Sequence, residues 1–357
     1  MNITETELRN AAAVQSHHPS LNPRPAGILP SISVVAPAYN EEEVLHIFYE
    51  RVTRVLVDIG APYEIVLVND GSRDGTLAMM HALRAADSHI TVVDLSRNFG
   101  KEIALTAGLD HTCGDVVVVL DSDLQDPPEL IPKLLAGWYE GYDVVYGVRS
   151  HRDGETWMKK ATSKWFYKLM QRVSRVHVPS DTGDFRLMTR RAVRAISGLR
   201  EEHRFMKGLF AWIGFPAKPL FYHRESRVAG QTKWNYWNLL NLAIEGITSF
   251  TITPLKIATF MGLSVAFISL IYAAFVIWKT LVYGDAARGY PSIMVTILFL
   301  GGVQLTAIGV LGEYIGRIFN EVKKRPLYLV NRLQTSSLQP SDDPAPVQNN
   351  VPMQHQG

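Results

Sequence analysis

The 357-residue sequence predicts an α/β fold: a doubly wound, mainly parallel sheet, followed by an interfacial helix and a two-helix transmembrane hairpin. Two observations carry that expectation. Across the first 150 residues, short β-branched runs alternate with stretches of helical periodicity, the pattern of parallel strands joined by crossover helices. Near the C-terminus there are two long uncharged runs. The mean hydropathy of +0.02 therefore averages over two unlike parts.

Residues 1–30 are polar and proline-containing and read as a disordered tail without the apolar core of a signal peptide. The sheet then begins. SISVVAP (31–37), YEIVLVND (63–70), ITVVDLS (90–96), DVVVVLDSD (115–123) and YDVVYGVR (142–149) are apolar runs bounded by turn residues, as suits strands covered on both faces. Stretches 41–58, 74–86, 101–112 and 128–139 have the length and apolar spacing of the crossover helices between them. Residues 234–256 mix aromatic and apolar side chains around a single charge, Glu245, before Lys256, and read as an interfacial helix with Trp234, Tyr236 and Trp237 near the headgroups.

Ile257–Trp278 and Gly289–Gly312 are runs of 22 and 24 residues without a charge. At about 1.5 Å per residue each is long enough to cross a hydrocarbon core of about 30 Å, and two such runs in tandem argue against a purely soluble protein. Residues 313–334 follow as a cytosolic juxtamembrane segment, and 335–357 as a second disordered tail. Lys279 and Arg288 lie between the spans. Arg224, Arg227, Lys233 and Lys256 precede the pair, and Arg317, Lys323, Lys324 and Arg325 follow it. The positive-inside rule then places the folded domain and both termini on the cytoplasmic side of a multi-pass inner-membrane protein.

Composition narrows the function. Thirty-six Lys and Arg against 34 Asp and Glu lack the basic excess of a dedicated nucleic-acid binder. The lone Cys113 excludes an intramolecular disulfide and leaves a structural zinc site without its usual ligands.

In a doubly wound sheet, ligands bind beyond the C-terminal ends of the strands. There the sequence places Pro37-Ala38-Tyr39-Asn40-Glu41-Glu42, then Asn69-Asp70-Gly71-Ser72-Arg73-Asp74-Gly75-Thr76, with Asp74 positioned to cap the next helix. The fourth strand runs into Asp121-Ser122-Asp123-Leu124-Gln125. After five apolar residues Asp121 and Asp123 fall at alternate positions, so both point to one side and Gln125 can follow them round the turn. Two carboxylates and an amide oxygen suit a hard cation, Mg2+ or Mn2+. No G-x-G-x-x-G follows the first strand, and Gly100-Lys101 lacks the first glycine of a phosphate loop, where Leu95 stands, with Glu102 after the lysine. Dinucleotide and P-loop sites are both excluded.

Together PAYNEE, VNDGSRDGT, LSRNFGKE and LDSDLQDPPE resemble the family 2 glycosyltransferases of the GT-A fold, most closely the membrane-anchored polyprenyl-phosphate glycosyltransferases, over residues 31–330. The resemblance implies a catalytic domain over 31–233. It implies that Pro37, Tyr39 and Glu41 line the base and ribose of a nucleotide sugar, that Asp70 accepts a hydrogen bond from the base, and that Asn98 and Lys101 belong to a third nucleotide-side motif. Asp121, Asp123 and Gln125 would hold the metal against the diphosphate. Arg149, Lys160, Ser163 and Arg227 would meet the acceptor phosphate. GDFRL (183–187), RFMKG (204–208) and RVAGQTK (227–233), with Thr232 where Ser is common, are further signatures.

The implied reaction is inverting transfer of a sugar to a polyprenyl (undecaprenyl) phosphate, UDP-glucose being the first choice of donor and GDP-mannose or a modified pentose the alternatives. The implied partners are the donor, the lipid acceptor and the bilayer, and the resemblance extends to homo-oligomerisation and to a flippase or downstream transferase. A processive polysaccharide synthase would show Q-x-x-R-W and more spans. A non-catalytic membrane scaffold would not need the paired aspartates.

Overall fold

The computed structural model describes residues 21–25, 27–149, 182–202, 204–222, 253–283 and 289–338. The expected elements are present: β1 (Ile32–Ala38), α1 (Glu42–Ile59), β2 (Tyr63–Asn69), α2 (Thr76–Ala86), β3 (Ile90–Leu95), α3 (Lys101–Asp110), β4 (Val116–Val119), α4 (Ile131–Tyr139) and β5 (Val144–Arg149). β4, β1, β2 and β3 pair in parallel. Alternate residues of β1 serve two cores. Ile32, Val34 and Ala36 pack with Leu45, Phe48 and Leu56 of α1, while Val35 packs with Leu105 and Leu109 of α3 on the other face. The continuous apolar runs of the sequence are the consequence of this two-sided burial.

Three strands extend the expected five. β6 (Thr182–Thr189) inserts antiparallel between β4 and β5, β7 (Ala217–Tyr222) lies parallel beside β5, and β8 (Val330–Gln334) pairs antiparallel with β3. The sheet order is β7-β5-β6-β4-β1-β2-β3-β8. Two short helices, α5 (Arg190–Gly198) and α6 (Met206–Trp212), complete the second core through Val193, Ile196, Met206 and Leu209.

Two tail boundaries differ from the sequence expectation. The chain before Ser31 is already docked at Arg24, whose guanidinium stacks on Trp138 with its centre 4.7 Å from the ring centroid and donates to the Tyr142 carbonyl. The segment after the second apolar run is also part of the sheet. β8 continues into Ser336, which donates to Glu64 at 2.8 Å, and Ser337, whose N–H reaches the Ser88 carbonyl.

α7 (Thr253–Tyr283) and α8 (Tyr290–Lys323) pack on one another and are longer than the uncharged runs inside them, 31 and 34 residues. Among the described residues, Phe299–Lys323 is long and apolar enough to cross a membrane. Phe260, Phe267, Ile271, Phe299 and Ile308 are exposed, an apolar surface that suits lipid rather than water. At its other end α8 reaches the folded domain, where Glu321 accepts the N–H of Glu202 at 2.8 Å. Residues 234–252 of the expected interfacial helix lie outside the described residues.

Candidate active site

The strand register creates the site. Ala38 lies opposite Asn69, and Asn69 opposite Asp94, so the first polar residues beyond the parallel strands fall in one row. The loops that follow are tied to one another. Asn40 donates its N–H to Ser72 and accepts from the N–H of Arg73. Glu41 donates its N–H to Thr76, and the Ser122 hydroxyl donates to the Pro37 carbonyl. Asp74 accepts both the N–H and the hydroxyl of Thr76, at the start of α2. Tyr39 is half-buried at this edge.

Asp70 is 3% exposed, and its two carboxylate oxygens accept the N–H groups of Phe99 and Gly100 at 2.7 and 3.0 Å. Burial pushes its carboxyl above the ordinary range, against these two hydrogen bonds. Asp70 thereby orders the segment that carries Asn98 and Lys101. Arg97 lies over the Phe99 ring in the same segment and donates to the Asn98 carbonyl.

Lys101, the first residue of α3, joins this loop to the carboxylates. Its ammonium lies 2.7 Å from Asp121 Oδ2 and 2.7 Å from Asp184 Oδ2, the latter on β6. Burial lowers the lysine pKa, but the two carboxylates more than reverse this and raise it. Burial raises Asp184, yet Lys101 and Lys207 override it and hold the group below the ordinary range. Asp121 goes the other way: burial raises it, and Lys101 only partly opposes.

The sequence expectation for the aspartates needs one correction. β4 ends at Val119, so Asp121 and Asp123 sit in a turn rather than on alternate strand positions. Leu124 adopts a left-handed conformation, φ 57°, and Asp123 Oδ1 accepts the N–H of Gln125 at 3.2 Å. Among the described residues, no three His, Cys, Asp or Glu side chains converge as a preformed metal cage. The oxygens nevertheless suit a divalent cation. Asp184 Oδ1 is buried without a hydrogen-bond partner among the described residues, and Asp121 carries carboxylate charge that one lysine only partly compensates. A site of one or two carboxylates completed by substrate phosphates is the usual way a protein holds such an ion.

Arg149 ends β5 with a half-buried side chain 4.0 Å from Asp126, which also accepts the Tyr222 hydroxyl. Burial lowers its pKa, and Asp126, Tyr222 and Asp121 together more than offset this, so it remains a cation; its Nε has no partner among the described residues. Lys160, Ser163 and Arg227 lie outside the described residues. Beside Lys101 is a cleft of about 190 Å³, lined in part by Phe99, Gly100, Glu202, Arg204 and Phe205.

The sequence reading quoted GDFRL without a role for Asp184. The pair of charges at alternate positions of this run, Asp184 and Arg186, was the available signal. Its pairing with Lys101 depends on β6 lying next to β4, which is a matter of topology.

The mixed α/β sheet is GT-A-like. The family model described as glycosyl transferase family 2 matches residues 33–197, and that of the GtrB C-terminal hairpin matches residues 253–318. The chain is 52% identical over 302 residues to an uncharacterized glycosyltransferase of Synechocystis sp., covering 85% of this chain and 95% of that protein. It is 48% identical over 303 residues to a prophage bactoprenol glucosyl transferase homolog of Escherichia coli, covering 85% and 99%. It is 50% identical over 301 residues to the bactoprenol glucosyl transferase of Shigella phage SfX, covering 84% and 98%. The chain belongs to the family 2 glycosyltransferases, in the group that carries the GtrB C-terminal hairpin.

Proposed function

We propose that the chain transfers glucose from UDP-glucose to a polyprenyl phosphate of the undecaprenyl type, with inversion, for cell-envelope glycan or lipopolysaccharide modification. The observation that carries this reading is the identity of 50% across 98% of a bactoprenol glucosyl transferase. The site chemistry is consistent with it. Asp121, Asp123 and Gln125 would hold Mg2+ or Mn2+, which when bound supplies charge neutralisation for a departing nucleoside diphosphate.

The chain's own residues do the rest. The Asp70-ordered segment shapes the nucleotide side, with Pro37, Tyr39, Glu41 and Asn98 around it. Lys101 places a fixed cation beside Asp121, where it would help stabilise the negative charge that develops on the departing diphosphate. Arg149, with Lys160, Ser163 and Arg227, would orient the acceptor phosphate. That phosphate is anionic at neutral pH, so its oxygen attacks the anomeric carbon without a strong general base; the new oxygen–carbon bond forms as the bond to the diphosphate breaks. The apolar hairpin would keep the acceptor's phosphate within reach, in a multi-pass arrangement with the catalytic domain and both termini on the cytoplasmic side.

The test is to incubate membranes containing the full chain with undecaprenyl phosphate, Mg2+ or Mn2+, and a panel of labelled UDP-glucose, GDP-mannose and UDP-pentose donors. A β-linked glucosyl lipid from UDP-glucose is expected. Exclusive use of another donor, or an α-linked product, would overturn the reading.

A further inference from the structure

We propose that β8, the strand that returns from the membrane hairpin, is a positioning element of the donor site, and that it acts through Asn331. A continuous set of hydrogen bonds connects the two. Asn331 Nδ2 donates to Asp94 Oδ2 at 2.7 Å, and Asp94 Oδ1 accepts from Asn69 Nδ2 at 2.7 Å. Asn69 Oδ1 then accepts the N–H of Ser72, in the loop that begins with Asp70. Asp94 as a carboxylate only accepts, so it orients the Asn69 amide with its nitrogen toward Asp94 and its oxygen toward Ser72. Both oxygens of Asp94 are engaged, one by each asparagine, and Asp94 and Asn69 are 4% and 2% exposed. In so dry a setting the loss of one donor leaves the carboxylate under-satisfied and free to rotate.

A second link runs through the backbone. Ser96 donates its N–H to the Leu329 carbonyl at 2.9 Å, just where the β3–β8 register shifts between Asp94 and Leu95. Ser96 opens the segment whose Phe99 and Gly100 N–H groups are held by Asp70. β8 and Leu329 just before it therefore brace both loops of the nucleotide side, Asn331 from a position 237 residues away from Asp94 in the chain.

Core packing does not account for the strand. Four of its five residues are exposed, so it adds little apolar burial, and its contribution lies in the polar contacts just described. Donor-site order thereby depends on the hairpin having brought the chain back to β3. The inference rests on the proposed reading of residues 69–101 as the donor side.

The experiment uses the full chain in detergent or membranes, with Asn331→Ala, Asn331→Asp and Asn331→Gln. Titration calorimetry measures affinity for UDP, and kinetics give KM for UDP-glucose and for undecaprenyl phosphate together with kcat. Loss of this part-buried hydrogen bond at the end of such a chain should weaken UDP affinity and raise the donor KM about 3- to 10-fold in Asn331→Ala, and further in Asn331→Asp, which faces Asp94 with a like charge. Acceptor KM and kcat should stay within about twofold, and Asn331→Gln, which keeps an amide donor, should recover most of the affinity. Amide hydrogen exchange reports the same effect in any variant of lowered stability: Phe99 and Gly100 should exchange faster while α1 is unchanged. Unchanged UDP affinity in both Asn331→Ala and Asn331→Asp, or equal rises in donor and acceptor KM, would overturn the proposal. Wild-type turnover decides the donor reading separately; if another nucleotide sugar is used, its nucleoside diphosphate replaces UDP in the same comparison.

Discussion

Lys101 holds two carboxylates with one ammonium, and the two respond in opposite directions. Asp184 is compensated, and Asp121 is left above the ordinary range. That imbalance is what a bound cation would relieve. Asp121→Ala and Asp123→Ala should each lower turnover by a factor on the order of 100 or more without loss of the far-UV circular dichroism of the wild type, since both residues lie beyond β4 and belong to neither hydrophobic cluster. Near-wild-type turnover in both would remove the metal role.

Glu102, next to Lys101, is pushed up to about 7 by burial and by Asp184. Its ordinary value is 4.5, so between pH 4.5 and 7 the unfolded chain releases a proton that the folded chain keeps. The contribution of Glu102 to stability therefore falls as pH rises through that window. Glu102→Gln should be more stable than wild type at pH 7, and the difference in Tm should shrink toward zero below pH 4.5. A difference independent of pH would refute this. Asp70, Asp121 and Asp123 were legible as residues because polar groups after apolar runs stand out. The Lys101–Asp184 contact was not, because 83 residues of chain separate its partners.

Among the elements, the parallel strands were readable because burial on both faces demands uninterrupted apolar runs. β6 was partly concealed by its charges, Asp184 and Arg186, which are buried by pairing and by contact with Phe210 rather than by being apolar. β8 gave no local signal at all, because VNRLQ is an exposed edge strand defined by its partner. The turn after β2 is a different case. Gly71 has φ +64°, and a Cβ there would sit 2.5 Å from the backbone of Arg97 and Asn98. Gly71→Ala should cost on the order of 1–3 kcal/mol from backbone strain alone and push the 97–101 segment away from Asp70. The expected result is a raised donor KM with an unchanged acceptor KM; wild-type kinetics would show that the two loops need not lie so close.

At the scale of the molecule, the hairpin leaves the sheet after β7 and its chain rejoins the same sheet as β8. The segments on either side of the two helices therefore lie on one side of any bilayer that both helices cross. The excess of Lys and Arg on those flanks favours the cytoplasm. A tag placed after residue 338 should be inaccessible to a membrane-impermeant label in intact cells and accessible after permeabilisation; labelling in intact cells would reverse the topology. Truncation at residue 252 is expected to lower nucleotide affinity as well as membrane attachment, because it removes β8 along with the helices. Equilibrium binding of UDP to the full and shortened chains measures this.

The sequence by itself determined the layered α/β sheet, the polar loops beyond its parallel strands and the presence of a long apolar hairpin. Each is written in residues close together in the chain, as periodicity, as turn chemistry or as length without charge. The tertiary structure alone decided which charges meet. Lys101 finds Asp184 because β6 inserts beside β4, and Asn331 finds Asp94 because the chain folds back after α8. These contacts join segments of similar polarity over long stretches of chain, where no local pattern favours one partner over another. What selects them is the pairing of sheet edges, since each strand must satisfy its backbone hydrogen bonds with whichever neighbour the topology supplies.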